Sequence, residues 1–364
     1  MANPAPPGTA ERPPGRWRPA LAGLGVFLLV IGLMLRFYAA PRLVAAPTNL
    51  YLTLTLTAPG SAYFNEGALT SEHNATLSYS LTIRGDPKDS TGKLAVWDSY
   101  AALSDPKTGA QVNSTFQRLV FNRRTSELLT CCGASVNDDT RIRQHGIGIL
   151  WPIGTRKTTY EVFDVNAQSA WPATYSGTAR VQGITAYRFT QHIPPTLVAQ
   201  MPGVPLSLLG VHGKTGNVVA NRYYQADNTF WIDPRTGVLI DTEQRILSVL
   251  HGPGGEGTLL GVRADLKMTP ASQRSLASLA SKNAAQIKIV RQTGPLGGVV
   301  LGLILILAAT IPFPGRRRAA LRRRRARARE ALAAGDLDDD MAGHMAGDDP
   351  GAEGPTEEFG SPGR

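Results

Sequence analysis

Two uncharged apolar blocks constrain this chain more than any other feature. LAGLGVFLLVIGLML runs from Leu21 to Leu35, and LGGVVLGLILILAATI from Leu296 to Ile311. With its flanks, each reaches the roughly 20 residues that cross a ~30 Å hydrocarbon layer as a helix. A core helix of a soluble protein normally keeps one polar face, and neither block has one. The first block also fits the outline of a cleaved signal peptide. Arg16 and Arg18 supply a basic start, and Val44-Ala45-Ala46 a small-residue site. The stretch from Arg18 to Ala46 is long for that role, and Arg36 interrupts it, so a retained anchor is the expectation.

The flanks set the orientation. Nine arginines lie between Arg316 and Arg329, with Arg316, Arg317, Arg318, Arg322, Arg323, Arg324 and Arg325 as the dense part. Short basic flanks stay on the cytoplasmic side, and Arg12, Arg16 and Arg18 say the same of the N-terminus. The expected organisation is then a cytoplasmic N-terminus over 1–18, a transmembrane helix over 19–40, an extracytoplasmic domain over 41–293, a second transmembrane helix over 294–314 and a cytoplasmic tail over 315–364. The Pro-rich N-terminus and the basic-then-acidic tail carry too little apolar surface to offset ordering entropy, and both are expected to be disordered. The net charge of +10 sits largely between the blocks, where 24 basic residues face 17 acidic ones. A nucleic-acid reading of the arginine run competes with a topology signal touching anionic lipid headgroups. The second is simpler, so no nucleic-acid partner is expected.

Between the blocks the pattern is period two. Leu50, Leu52, Leu54 and Leu56 alternate with Tyr51, Thr53, Thr55 and Thr57. Leu77 to Ile83 and Leu260 to Met268 repeat the alternation, the signature of half-buried strands. NTFWIDPRTGVLI reads as a hairpin, because Pro234 presets φ and Gly237 tolerates a positive φ. TPASQRSLASLASKNAAQIKIV reads as a helix with Pro270 near its start. Pro194, Pro195, Pro202 and Pro205 predict a loop or short helices over Ile193–Leu206. The fold class expected is a mainly β ectodomain, antiparallel and barrel-like, between N- and C-terminal transmembrane helices.

No catalytic signature is present. There is no G-x-S-x-G, H-E-x-x-H or G-x-x-x-x-G-K. His73, His145, His192, His212 and His251 share no metal-like spacing with each other or with cysteine. No enzyme, metal or cofactor is expected. Trp97, Trp151, Trp171 and Trp231 read as core, and with apolar inward positions they would suit a cavity for a hydrophobic molecule if the sheet closes.

Two motif sets carry resemblances. GIGILWPIGTRKTTYEVFD and WPATYSGTARVQGITAYRF contain Trp151-Pro152, Lys157, Tyr160 and Asp164, then a Gly-hydrophobic run from Gly183 to Tyr187 and Phe189. In these it resembles the actinobacterial PorA-like family of two-pass envelope proteins, over nearly the whole span between the apolar blocks. VQGITAYRF is also similar to a stretch of the class B scavenger receptors, matching at Gly183, Tyr187, Arg188 and Phe189, with Thr185 where that family has proline. FWIDPRTGVLI matches their hairpin at Asp233, Pro234, Thr236 and Gly237. That resemblance implies an antiparallel barrel with a lipid-conducting tunnel. Together they imply an envelope protein that binds or transfers a hydrophobic, lipid-like molecule. The alternatives are an oligomeric porin-like channel component or a structural anchor. Oligomeric state is open.

The only cysteines, Cys131 and Cys132, are adjacent and fall in the exported region, where disulfides persist. Neighbours can close only an eight-membered ring with a distorted peptide. A vicinal disulfide forming a rigid turn before Gly133 is the expectation; free or intermolecular thiols are the alternatives.

Overall fold

A computed structural model describes residues 17–310 and 324–329. The expectations for the N-terminal 16 residues and for most of the tail, including Arg316, Arg317, Arg318, Arg322 and Arg323, lie outside the described residues. Arg324 and Arg325 fall in a short, exposed helical stretch. The described chain divides into two compact units. One holds the helix ends up to Leu28 and from Leu301, and the other is Leu29–Val300.

Among the described residues, two helices are long and apolar enough to cross a membrane: α1, Trp17–Ala39, and α2, Pro270–Thr310. The second is one continuous helix of 41 residues. A hydrocarbon layer about 30 Å thick takes roughly 20 apolar residues. Only its apolar second half matches such a layer. Its start is fixed by Thr269, whose side chain accepts a hydrogen bond from the Ser272 amide, with Pro270 in the first turn. The Ser272 hydroxyl in turn accepts from the Thr55 amide at 2.9 Å, and Leu276, Ala277 and Ala280 are buried in the same core as Leu54 and Leu56. Within the first unit, a Cβ on Gly25 would lie 2.7 Å from the Gly302 carbonyl oxygen. Within the second, one on Gly32 would lie 2.9 Å from that of Pro295. Small residues at both places let apolar helices approach backbone to backbone.

The region between the helices is a single antiparallel sheet of eleven strands in the order β5-β4-β3-β2-β1-β11-β10-β9-β8-β7-β6, curled into a half-barrel. The strands are β1 Tyr51–Asn65, β2 Thr70–Gly85, β3 Leu94–Ser104, β4 Gln111–Asn122, β5 Ser135–Val136, β6 Tyr160–Asp164, β7 Ser169–Val181, β8 Ile184–Pro205, β9 Asn217–Ile232, β10 Leu239–His251 and β11 Thr258–Met268. The leucine alternation in β1 does what period two requires: Leu54 and Leu56 are buried beside Tyr51, which is exposed. The two sheet edges are joined by a narrow bridge of backbone. The Leu129 amide donates to Val120 of β4, the Leu128 amide to Gly146, and the Ile147 amide to Glu161 of β6. These rungs connect one edge to the other and leave fewer unpaired groups there.

One expectation is overturned. Ile193–Leu206 is not a loop, because β8 runs through Pro194, Pro195 and Pro202 to end at Pro205. Register shifts between Ile193 and Thr196 and between Met201 and Val204 absorb the prolines. Bulges tolerate the missing N–H where a regular ladder would not.

The outer face is polar. Glu243 pairs with Lys267, Arg245 with Asp265 and His192 with Asp227 across neighbouring strands. Arg118 holds Asp86 at 3.1 Å and Asp98 at 2.9 Å, and also pairs with Asp89. A membrane-crossing barrel presents an apolar band outward. This surface suits water.

Candidate functional site

The motif residues scattered over the sequence meet at one end of the barrel. The turn Asp233–Gly237 anchors them. Asp233 is fully buried, and its carboxylate accepts from the Thr236 hydroxyl at 3.0 Å and from the Arg235 side chain at 2.9 Å. Its backbone carbonyl accepts the Gly237 amide at 2.8 Å. Gly237 has φ +73°, and a Cβ there would lie 2.0 Å from the Trp151 carbonyl oxygen. Only glycine lets the Trp151-Pro152 loop lie against the hairpin, where the Trp151 amide donates to the Gly237 carbonyl at 3.1 Å. Pro234 is half-buried at the turn.

Trp151 then seeds an aromatic cluster. Its ring lies 4.4 Å from Phe189, 5.2 Å from Tyr160 and 5.9 Å from Phe230. Tyr175 extends the cluster to Tyr187 at 5.7 Å, and the Lys157 ammonium lies over both of these rings at 5.6 and 5.4 Å. Arg188 faces the other way and donates to the Ser176 carbonyl and hydroxyl at 3.0 and 3.1 Å, beside the bulge at Gly177. Gly183, φ +80°, makes the β7–β8 turn. The geometry brings Trp151, Lys157, Tyr160, Tyr187, Phe189 and Gly237 into one assembly. Arg188 and Gly183 stand apart from it.

Asp164 has a different position. It lines a cavity of about 130 Å³ inside the barrel, together with Gln191, Asn228, Thr242, Ser99 and Gln117. Its Oδ1 accepts the amides of Asn166 and Ala167 at 2.9 and 2.8 Å. Asn228 donates to Gln191 at 2.9 Å, and Gln191 donates to the Val162 carbonyl at 2.8 Å. Burial pushes the Asp164 carboxyl above the usual carboxylate range, opposed by hydrogen bonds from those amides, Asn228 and Tyr224. Burial likewise raises the Tyr224 and Tyr79 hydroxyls. The lumen is therefore polar in part. Its cavity is also below the ~300–1,000 Å³ typical of drug-sized ligands. The lining mixes these polar groups with Leu54, Leu56, Leu81, Ile149 and Phe230. The signal was in the sequence: Gln117 and Asn228 occupy the same strand parity as Leu119 and Phe230.

A carboxyl raised by burial stabilises the fold in acid and loses that contribution as pH rises through its folded value. Asp164→Asn should therefore flatten part of the decline in stability from about pH 4 upward. Chemical denaturation at a series of pH values measures it; an unchanged slope would remove Asp164 from the account. Burial raises the Asp241 carboxyl as well, so part of the slope should persist.

A larger pocket lies where the barrel base meets the helices, within the second unit. It holds about 380 Å³ and is lined by Leu43 to Pro47, by Leu150 and Ile153 of the Trp151 loop, by Thr236 and Val238 of the hairpin, and by Asn283, Gln286, Ile287 and Val290 of α2. Its walls are mostly apolar.

Cys131 and Cys132 are exposed free thiols with sulfurs 2.7 Å apart, and Cys132 has φ +58°. The contact with the Cys132 sulfur holds the Cys131 thiol above its ordinary range. We propose that the pair closes as a vicinal bridge under oxidising conditions. Intact mass should then rise by two hydrogens on reduction, and two alkylatable thiols in the native protein would exclude it. Among the described residues no group of three His, Cys, Asp or Glu gathers to hold a metal ion.

The family model described as Porin PorA matches residues 19–311. The chain is also similar to a Porin PorA of Corynebacterium resistens, at 22% identity over 37% of this chain and 46% of that relative. The match thus spans less than half of the relative's length.

Proposed function

The chain belongs to the porin PorA family, and from that premise we propose that it is a two-pass envelope protein whose barrel stands outside the bilayer and takes up a hydrophobic, lipid-like molecule. Both termini are then cytoplasmic, with the arginine run against anionic headgroups. One observation carries the reading: the apolar pocket of about 380 Å³ at the junction of helices and barrel. It is within the size range of ligand sites, and it opens beside helices whose apolar segments match a bilayer. An acyl chain could pass between membrane and pocket without crossing water.

The test uses the full chain in nanodiscs with a phospholipid carrying a diazirine on its acyl chain. Labelling should reach Ile287, Leu150 and Ile153, and Ile287→Glu should suppress it at the two loop residues. Label confined to the apolar spans would sink the reading.

The relative's description as a porin favours a second reading, a channel. The charged outer face argues against the barrel itself crossing lipid, and two apolar helices cannot line an aqueous path alone. A channel would need several copies. Planar-bilayer recording decides: discrete conductance that scales with protein dose supports it, and silence across doses removes it.

A further inference from the structure

The inward face of β9 carries one charge. Ala220, Tyr224, Ala226, Asn228, Phe230 and Ile232 alternate along it, and all are buried. Arg222 occupies the same parity, at the end of the barrel away from the Asp233–Gly237 turn. It lines a pocket of about 200 Å³ with Phe64, Val112, Met201, Leu208, Leu250 and Leu259. This exceeds the ~150 Å³ of a cavity that holds benzene, so a short run of alkyl chain fits.

Arg222 itself is half-buried. Its Nε–H donates to the Ser248 hydroxyl at 3.0 Å. Among the described residues no carboxylate lies within ion-pair distance of it. Glu66 also lines the pocket, and its side chain is exposed. Burial lowers the Arg222 pKa, with Glu66 and Tyr224 acting against that at longer range. A guanidinium has five donors in a fork suited to carboxylate or phosphate. Here Ser248 takes the Nε–H, and the rest of the fork is open to solvent beside apolar walls. Donors that face solvent are free to meet an anion entering the pocket, as a charge-assisted pair.

We propose that this pocket binds an anionic amphiphile, with its carboxylate or phosphate on Arg222 and the start of its alkyl chain against Met201, Leu208, Leu250 and Leu259. This rests on the reading of the protein as a carrier of hydrophobic molecules. It adds the sign of the headgroup and a second site distinct from the pocket at the base. Glu66 faces the same opening and weakens anion binding.

The test uses the full chain in amphipol with a diazirine-bearing palmitate, and mass spectrometry to map the label. Adducts are expected on Met201, Leu208 or Leu259. Unlabelled palmitate and dodecyl phosphate should compete. Dodecyltrimethylammonium and inorganic phosphate should not, which separates an amphiphile from a free anion. Arg222→Gln should reduce labelling at this pocket by at least about tenfold, the loss of a charge-assisted pair. Glu66→Gln should increase it. Leu208→Trp fills the pocket while keeping Arg222 and should also abolish the label, and label retained at Ile287 and Ile153 in both variants guards against misfolding. Unchanged labelling in Arg222→Gln, or equal competition by the cationic amphiphile, overturns the proposal. Label at Ile287 and Ile153 reports the base pocket separately. Its presence without label at Met201, Leu208 and Leu259 refutes this site alone, and the absence of both refutes the carrier reading.

Discussion

Gly237→Ala should destabilise the protein by about 3 kcal/mol or more, and Gly183→Ala by only about 1–2 kcal/mol. Both glycines sit in tight turns at positive φ, +73° and +80°, so both variants carry the left-handed penalty of an L residue. Their surroundings differ. Nothing lies within 4 Å of a Cβ on Gly183, whereas one on Gly237 would meet the Trp151 carbonyl oxygen at 2.0 Å. Backbone must move, and the moving piece carries the Trp151 amide bond to Gly237 and the centre of the aromatic cluster. Chemical denaturation of the full chain in mild detergent, followed by tryptophan fluorescence, gives the comparison. Equal losses in the two variants would show that the Trp151 loop is not clamped by the hairpin.

The difference between those glycines also marks what the sequence could reveal. A turn is local: Asp233, Pro234 and Gly237 announce it through φ preferences and a short side-chain bond, and the hairpin is where they place it. The strand alternation of Leu52 to Leu56 is equally local. Meeting partners are not. Nothing near Trp151 in the chain says that its carbonyl will lie against Gly237, more than eighty positions on. The order of the strands around the sheet supplies that. Proline misled for a related reason. Pro194 and Pro202 disfavour a regular ladder, but the long flanking strand β9 pairs across three register shifts, and tertiary pairing overrode the local preference. Arg222 was legible in principle, since it breaks an apolar parity. That break becomes informative only once the strand's inward face is known.

Trp151→Ala should cost about 3–5 kcal/mol, the range for removing a large buried aromatic side chain, and Trp151→Phe distinctly less. The ring is 2% exposed and contacts Phe189, Tyr160 and Phe230, each such pair adding about 0.5–1.5 kcal/mol beyond buried area. A second consequence separates this side chain from ordinary core. Trp151 lines the partly polar lumen cavity, while its neighbours Leu150 and Ile153 line the apolar pocket at the base. The hairpin is divided in the same way, with Val238 on the base pocket and Leu239 on the lumen. The indole is thus part of the wall between the two spaces. Its removal should let a hydrophobic probe held at the base advance into the barrel. In the diazirine-lipid experiment, label confined to Ile287, Leu150 and Ile153 in the native protein should extend to Leu239 and Phe230 in Trp151→Ala. It should not do so in Trp151→Phe, which keeps a ring in place. If the alanine variant is destabilised as expected but remains folded and labels only the base residues, Trp151 supports the fold without partitioning its interior.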